Sequence, residues 1–552
     1  MNIGIDLDNT IIDYSDVFII AADYLKISFP ECVKSKFEIR EFLRSTEGGE
    51  STWQRIQGLV YGKFLNKHAK IFPGLLRFLW RCREKGYEIT IVSHKTEFGN
   101  YDIDEYSLRD EASSFLFSQS ITSGENPLVK NVFFHNNYLD KINFIKHHNF
   151  DWFIDDLEDV IIDLCEIDNL NLVLFNTPPT EKYFEYNHNH SISYLDNWQI
   201  IDSLINGSWS NSEINNIAYQ LTSYSVKEFV KINNGGNGGV YKLILANNQT
   251  VKLKIYSIDL FHDRLYSELI ATNGIIASGL INTPKIIAYN LHLDICIFDW
   301  LEGDRVISID YNDIDQCLSF LTNLHSLRYS SAFVSVPLAS SSCFSGLDIE
   351  RQINNRVAQF KIPRLLSPDL DSFFVQNFLP FQRELFNWAR FNFSNFSDFD
   401  IPISINHQTL SPSDFGFHNS VRDFNGILYF IDFEYFGWDD PVKLISDFIF
   451  HPGMSLTNDQ ISYWQAGALK IYGEDLIQRL NIFRPLYGLI WCLIILNDFR
   501  LEVWDRRVLS DESKKINKKE ILLEKLNQSI ALLNNLKACH YEKLFEVNLN
   551  AT

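Results

Sequence analysis

Asp6-Leu7-Asp8-Asn9-Thr10 follows directly on the apolar run Ile3-Gly4-Ile5. Carboxylates gathered at the end of a strand repel one another, and the arrangement is costly unless a cation or a reaction needs them. A second acidic group, Asp155-Asp156-Leu157-Glu158-Asp159, follows the apolar run Trp152-Phe153-Ile154. Ser93 closes a third run, Ile89-Thr90-Ile91-Val92, and Lys141 lies ahead of the second acidic group, with Lys130 and Lys146 as neighbouring choices. In a parallel sheet the C-terminal strand ends converge on one crevice. Carboxylates, a hydroxyl and an amine would meet there, a set able to hold a divalent cation or serve catalysis.

A second set lies further along. Asn234-Gly235-Gly236-Asn237-Gly238-Gly239-Val240 separates two strand-like runs, and its glycines let backbone amides approach a phosphate closely, although a hairpin turn has the same composition. Val251-Lys252-Leu253-Lys254-Ile255 follows, with both lysines on one face of a strand. Glu268 falls in a helical segment over 261–278. Asp414 and Asn419 are five residues apart, and Ile431-Asp432 ends a later strand-like run. An ammonium with its carboxylate partner, a base and two magnesium ligands are the parts of nucleotide-dependent phosphoryl transfer.

The elements that must position these residues can be read from the pattern. Over 1–205 short β-rich runs, including Leu172–Phe175, alternate with helical stretches such as Leu75–Lys85 and Tyr138–His148, which predicts an α/β unit with a parallel sheet covered on both faces. Residues 206–226 are small and polar and read as a linker. From 227 to 302 five strand-like runs (Lys227–Val230, Val240–Ala246, Val251–Tyr256, Ile286–Tyr289 and Ile295–Trp300) suggest an antiparallel sheet, and 303–545 is mostly helical. The aromatic stretch Phe373–Phe399 reads as helix packing, Asn187–His190 as a loop, and Lys514–Lys519 as the solvated start of a charged, exposed helix running to Leu536.

With 552 residues the chain exceeds one hydrophobic core. A net charge of −21 opposes nucleic acid and anionic lipid as partners. The longest apolar run, Leu486–Leu496, is too short to span a bilayer, and the start has no basic segment before an apolar one. Eight cysteines are scattered without a Cys-x-x-Cys pair, so a reducing, cytoplasmic setting is expected.

Residues 1–205 resemble the haloacid dehalogenase-like superfamily, with Asp6-x-Asp8-x-Thr10, Ser93, Lys141 and the Asp155-Asp156 pair in the superfamily's order. The resemblance implies a Rossmann-like phosphatase domain with a small cap at about 14–75. Asp6 would be the nucleophile and Asp8 the acid/base. Thr10, Ser93 and Lys141 would hold the phosphoryl group, and Mg²⁺ would sit on Asp6, Asp8 and Asp155 or Asp156.

Residues 227–545 resemble the aminoglycoside phosphotransferase and choline kinase-like family, a bilobal protein-kinase-like α+β fold with an N-lobe over 227–302 and a C-lobe over 303–545. Leu321–Leu327 matches that family's Leu-His helix, and Asp440-Pro441 with Asp447 also matches. The wording Ser411–Asn419 is similar to members associated with surface-polysaccharide gene clusters, although Pro412-Ser413 replaces the usual His-Gly. The resemblance implies ATP as co-substrate, bound by Gly235, Gly236, Gly238, Gly239 and Lys254, with Glu268 orienting the lysine. Phe298–Leu301 would read the adenine, Asp414 would be the base, and Asn419 and Asp432 would bind Mg²⁺. The expectation is a bifunctional phosphatase and kinase acting on a small phosphoester and a hydroxyl acceptor, a sugar, polyol or amino alcohol for capsule or lipopolysaccharide precursors. The alternatives are a phosphatase with a silent kinase-like binding module, or an antibiotic-modifying kinase with a fused phosphatase.

Overall fold

The computed structural model describes residues 1–30, 33, 35–100, 106–178, 192–232, 239–259, 261–394, 397–510 and 517–550. Two compact units divide the chain, Met1–Ile214 and Asn215–Thr552.

The first unit is built on a parallel sheet in the order Asn131–His135, Glu88–His94, Asn2–Ile5, Trp152–Asp155, Asn171–Phe175, Ile192–Leu195. The first strand in sequence is therefore central. The chain winds outward on one side of it, then returns to its other side, so the strand order switches at the end of Asn2–Ile5, where Asp6 stands. Ile3, Ile5, Ile91, Ile154 and Val173 are buried, as continuous apolar runs covered on both faces require. Gly4 is needed for space: a Cβ there would lie 2.4 Å from the Phe153 ring. Between the first strand and the helix Leu75–Glu84 the chain forms the helices Ser15–Tyr24, Lys36–Arg44, Gly49–Tyr61 and Leu65–His68, with Phe18 stacked on Trp53 at 5.1 Å.

A buried ion cluster closes this unit. Arg81, on Leu75–Glu84, donates to Asp202 at 2.9 Å and Glu213 at 2.8 Å, and to the carbonyls of Gly207 and Ser208. The boundary between the two units falls within the expected linker over 206–226, and there Asn211–Thr222 is a helix whose Ile214, Ile217 and Ala218 are buried. Its short polar side chains masked an apolar stripe at helical spacing.

In the second unit an antiparallel sheet runs in the order Ile286–Asn290, Ile295–Asp299, Thr250–Ile255, Gly239–Leu245, Val226–Lys231. The helix Arg264–Ala277 is interposed, and Asp263 caps it by accepting from the Tyr266 amide at 2.9 Å. The remainder is mostly helical, including Tyr311–Ser326, Gly346–Gln359, Leu379–Phe393, Pro441–Phe450, Asn458–Tyr472 and Ile477–Ile495, with two small antiparallel sheets among the helices: Asp304–Arg305, Ser420–Arg422 and Leu428–Phe430 in one, Thr409–Ser411 and Gly437–Asp439 in the other. Phe374, Phe378, Phe381 and Phe393 are buried, so the aromatic stretch is core.

Two further expectations change. Glu474–Phe499 is long and apolar enough to cross a membrane by length and composition, whereas the sequence reading stopped at the shorter run Leu486–Leu496; 72% of its apolar window is buried inside the protein. The last helix, Lys518–Asn550, is not simply exposed. Leu526, Ser529, Leu533 and Leu536 are buried, and Leu536 packs so close to Gly488 that a Cβ there would lie 2.6 Å from it. Apolar residues at spacings of three and four were hidden among its charges.

Replacing Arg81 by Leu leaves Asp202 and Glu213 buried without their cation. The expected loss is about 3–5 kcal/mol of stability, read as a lowered denaturant midpoint for the first unit. An unchanged midpoint would show the cluster to be dispensable.

Candidate active sites

In the first unit the crevice at the strand switch collects the predicted residues. Lys141, fully buried on the helix Tyr138–His147, donates to Asp6 Oδ1 at 2.5 Å and to Asp155 Oδ2 at 2.6 Å. The other oxygen of Asp155 accepts from the Leu157 amide at 2.9 Å, so Asp155 is fully engaged. Lys130 is exposed, and Lys146 lies 3.9 Å from Glu166 instead. Asp156 is buried and makes no hydrogen bond or ion pair among the described residues. Carboxylate oxygens of Asp6, Asp155 and Asp156 lie within 4.8 Å of one another.

The electrostatics follow from this crowding. Burial pushes Asp6 up to about 6, with Lys141 pulling the other way. Burial, then the charges of Asp6 and Asp155, hold Asp156 well above the usual carboxylate range. Asp8 goes the opposite way: burial opposes its charge, but Lys95 and Tyr14 outweigh it and keep the carboxyl below that range. The Lys95 ammonium stands 2.9 Å from Asp8 Oδ1, and the Tyr14 hydroxyl donates to the same oxygen at 2.7 Å. Asn9, in the left-handed region with φ 57°, closes the turn that carries Asp8. Thr10 and Ser93 are buried at the same strand ends, and the Thr10 hydroxyl has no hydrogen-bond partner among the described residues.

In the second unit Lys254, on Thr250–Ile255, donates to Glu268 Oε2 at 2.6 Å and Asp432 Oδ1 at 2.5 Å, and lies 3.0 Å from Glu434 Oε2. Tyr256 also donates to Glu268, at 2.6 Å. Lys252 behaves differently from its neighbour. It lies 4.7 Å over the Phe298 ring, and burial holds its ammonium below the usual range. Asp432 has φ 71°, a conformation that Asp tolerates better than most residues.

Asn419 donates to the Asp414 carbonyl at 2.9 Å and to its carboxylate at 3.2 Å, and the Asn419 carbonyl accepts from the Ile431 amide at 3.0 Å. The Asp414 loop is thus tied to the strand end that carries Asp432. His418 Nε2 lies 2.9 Å from Asp414 Oδ1, and His451 stacks on His418 with ring centroids 3.6 Å apart. Burial opposes ionisation of Asp414, but the His418 contact and the nearby His451 hold its carboxyl below the usual range. Asp440 caps Pro441–Phe450 and pairs with Arg479, while Asp447 accepts from Lys443 and Trp491.

Gly235, Gly236 and Gly238 lie outside the described residues; Gly239 opens a strand. Phe298 is buried in Ile295–Asp299, directly ahead of Trp300 and Leu301. The sequence reading missed Lys95, Tyr14, Glu434 and the two histidines. Lys95 follows Ser93 by two residues and Glu434 follows Asp432 by two, so both were signalled by position. His451 had no motif to mark it.

No family model matches the chain, and no curated protein matches it. Among solved structures it is similar to spectinomycin phosphotransferase APH(9)-Ia in complex with ADP and spectinomycin, at 12% identity over 58% of this chain and 97% of that one, with a TM-score of 0.41. It is also similar to choline kinase LicA from Streptococcus pneumoniae, at 14% identity over 58% and 98% with a TM-score of 0.38. For the gentamicin–APH(2")-IIa complex the values are 14%, 58%, 96% and 0.40. Likeness at that level leaves function to be argued from the side chains.

Asp439, fully buried beside Lys443 at 3.3 Å, offers a pH test of this region. Burial pushes it up to about 7 from an ordinary 3.8, with Lys443 pulling down. A carboxyl raised by folding binds its proton more tightly when folded, so its contribution is full below the ordinary value and is lost as pH rises through the folded one. The melting temperature should fall between roughly pH 4 and 7, and Asp439→Asn should flatten that fall. An identical slope in the variant would rule the assignment out.

Proposed function

We propose that the chain is a bifunctional enzyme: the first unit hydrolyses a small phosphomonoester, and the second transfers the γ-phosphoryl group of ATP to a hydroxyl of a small metabolite. The kinase half rests on one juxtaposition, Lys254 bonded to both Glu268 and Asp432 with the Asp414–Asn419 pair tied to the same strand end. The acceptor hydroxyl passes its proton to Asp414, its oxygen bonds to the γ-phosphorus, and the bond from that phosphorus to the ADP oxygen breaks. Asp414 is held ionised and is ready for the proton. Lys254 moves from Asp432 toward the α- and β-phosphates and keeps Glu268 as its anchor.

The phosphatase half rests on Lys141 bridging Asp6 and Asp155. Asp6 attacks the phosphorus, and the leaving alcohol takes a proton from Asp8. Water then attacks the aspartyl-phosphate, giving its proton to Asp8 and releasing inorganic phosphate. Lys95 and Tyr14 hold Asp8 as a carboxylate at rest, which suits the second half. The approach of a phosphoester dianion opposes that pull and lets Asp8 carry the proton needed in the first.

Mg²⁺ fits both sets of residues. Asp156 is a buried carboxylate without a hydrogen bond or ion pair among the described residues, the donor a hard cation takes, and with Asp6 and the Asp8 carbonyl it would hold the ion. Asn419 gives its amide hydrogens to Asp414, which turns its side-chain oxygen to the role of ligand beside Asp432. In each site the ion would supply charge neutralisation at the phosphoryl oxygens. The Ser411–Asn419 wording supports a sugar, polyol or amino alcohol of a surface-polysaccharide precursor as the acceptor.

Incubation with ATP-Mg²⁺ and acceptor panels tests the two halves separately. Asp414→Asn should lower phosphoryl transfer by about 10²–10⁴-fold and leave phosphatase turnover unchanged. Asp6→Asn should abolish phosphatase turnover and spare transfer. Full transfer by Asp414→Asn, or full hydrolysis by Asp6→Asn, would remove the corresponding half. Nucleotide binding without transfer to any acceptor would make the second unit a binding module.

A further inference from the structure

Arg356 lies on the helix Gly346–Gln359, largely withdrawn from solvent, with its Nε fully buried and unbonded. It makes no hydrogen bond and no ion pair among the described residues. The charged groups that face it do not neutralise it. Arg500 adds like charge and is itself paired with Glu502 at 2.5 Å. Asp447, ahead of Cys343, has the largest opposing influence on it, but Asp447 already accepts from Lys443 at 2.9 Å and from Trp491 Nε1 at 2.8 Å. Burial and Arg500 together hold the guanidinium below the usual arginine range. An arginine withdrawn from water without a counter-ion is costly. Such a cost persists where a ligand supplies the missing charge.

The position says which ligand. From Asp447 a continuous row of side chains leads to the proposed base: Trp491 meets His451 edge-on at 5.0 Å, His451 stacks on His418 at 3.6 Å, and His418 lies 2.9 Å from Asp414. Gln352, one turn before Arg356, accepts from Cys343 at 3.2 Å on the same side. Tyr487, one turn before Trp491, carries a fully buried hydroxyl that also lacks a hydrogen bond among the described residues. The helix Gly346–Gln359 packs on Ile477–Ile495, so both sets of residues border one region of the second unit.

We infer that Arg356 is the anion-recognition residue of the acceptor site: the molecule phosphorylated at Asp414 carries a phosphate or carboxylate that the Arg356 guanidinium binds through its N–H fork. The inference rests on the kinase reading for the identity of the acceptor, but the anion site itself does not. It gives a substrate class, an anionic sugar or polyol derivative, in place of a neutral or cationic alcohol.

The test uses the full chain with ATP-Mg²⁺ and matched acceptors: a sugar, its phosphate and its uronic acid. The Asp6→Asn background keeps the phosphate ester intact. Anionic members should be used at least tenfold more efficiently than the neutral parent, and the better of the two identifies the group bound. Arg356→Gln should raise the acceptor KM at least tenfold and leave the ATP KM unchanged, and Arg356→Lys should recover part of the loss. Without ligand, Arg356→Gln should melt no lower than the parent, because an uncompensated charge has been removed; a lower melting temperature would show a structural role. A neutral acceptor used equally well, with a KM indifferent to Arg356→Gln, would overturn the inference while leaving the kinase reading standing. A parallel titration with inorganic phosphate covers the remaining case. If no acceptor is phosphorylated but Arg356→Gln loses one phosphate site, the kinase reading fails and the anion site stands. If no such site is lost, the anion site fails as well.

Discussion

A buried ammonium shared between carboxylates from different elements is the constraint on which both sites depend. Removing a lysine and two carboxylates from water costs several kcal/mol per ion, and only close geometry with further hydrogen bonds offsets it. Lys141 satisfies this with Asp6 and Asp155, each at the end of its own strand. Lys254 satisfies it with Glu268 from a helix and Asp432 from a distant strand end. Each arrangement forms only when all three elements arrive in register. A shift of one residue in a strand would turn its carboxylate to the opposite face.

The two units reach this by different routes. In the first, the parallel sheet does the work, because the strand order switches at Asp6 and places it between the ends of its neighbours. In the second, an antiparallel sheet supplies only the lysine, and the helix bearing Glu268 needs separate anchorage. Glu434 provides it: its Oε1 accepts from Arg264 at 2.9 Å, one turn before Glu268, while its Oε2 faces Lys254 at 3.0 Å. One carboxylate thus ties the start of the helix to the lysine that its glutamate must meet, and His262 donates to the Glu434 backbone carbonyl from the same approach.

Much of this was legible because buried parallel strands write themselves as apolar runs and because reactive carboxylates stand at their ends. The strand Asn131–His135 escaped notice for the complementary reason: it lies at the sheet edge, where Phe133 is exposed, and its apolar run Val132-Phe133-Phe134 is followed by His135-Asn136-Asn137, with no carboxylate at its end to mark it. The helix Asn211–Thr222 was hidden by Asn and Ser, which favour turns locally but were overruled by the burial of Ile214 and Ile217. Lys95 and Glu434 sat within two residues of recognised positions, yet a strand-end lysine or glutamate is ordinarily a solvated charge, and only the fold shows these two turned inward. His451 is brought to Asp414 by the packing of Pro441–Phe450, a long-range contact that no local spacing encodes.

The charge balance of the whole chain gives these local cations their importance. A net charge of −21 repels a phosphoester dianion or a nucleotide at long range. Physiological salt screens that field over about 8 Å, so what decides binding is the sign of the charge within the crevice itself. In the first unit the protein places Lys141 and Lys95 there, and Lys36 from the Lys36–Arg44 helix adds positive charge toward Asp156 and Asp8. In the second it places Lys254, and the proposed part of Arg356, on the Gly346–Gln359 helix, is the same. Each of these side chains is wholly or largely withdrawn from water, which strengthens its attraction for an anion and keeps the surrounding acidic surface from cancelling it. An acidic protein in the proposed role of binding phosphate therefore has to bury its cations, and burial in turn demands the paired carboxylates that hold Lys141 and Lys254 in place.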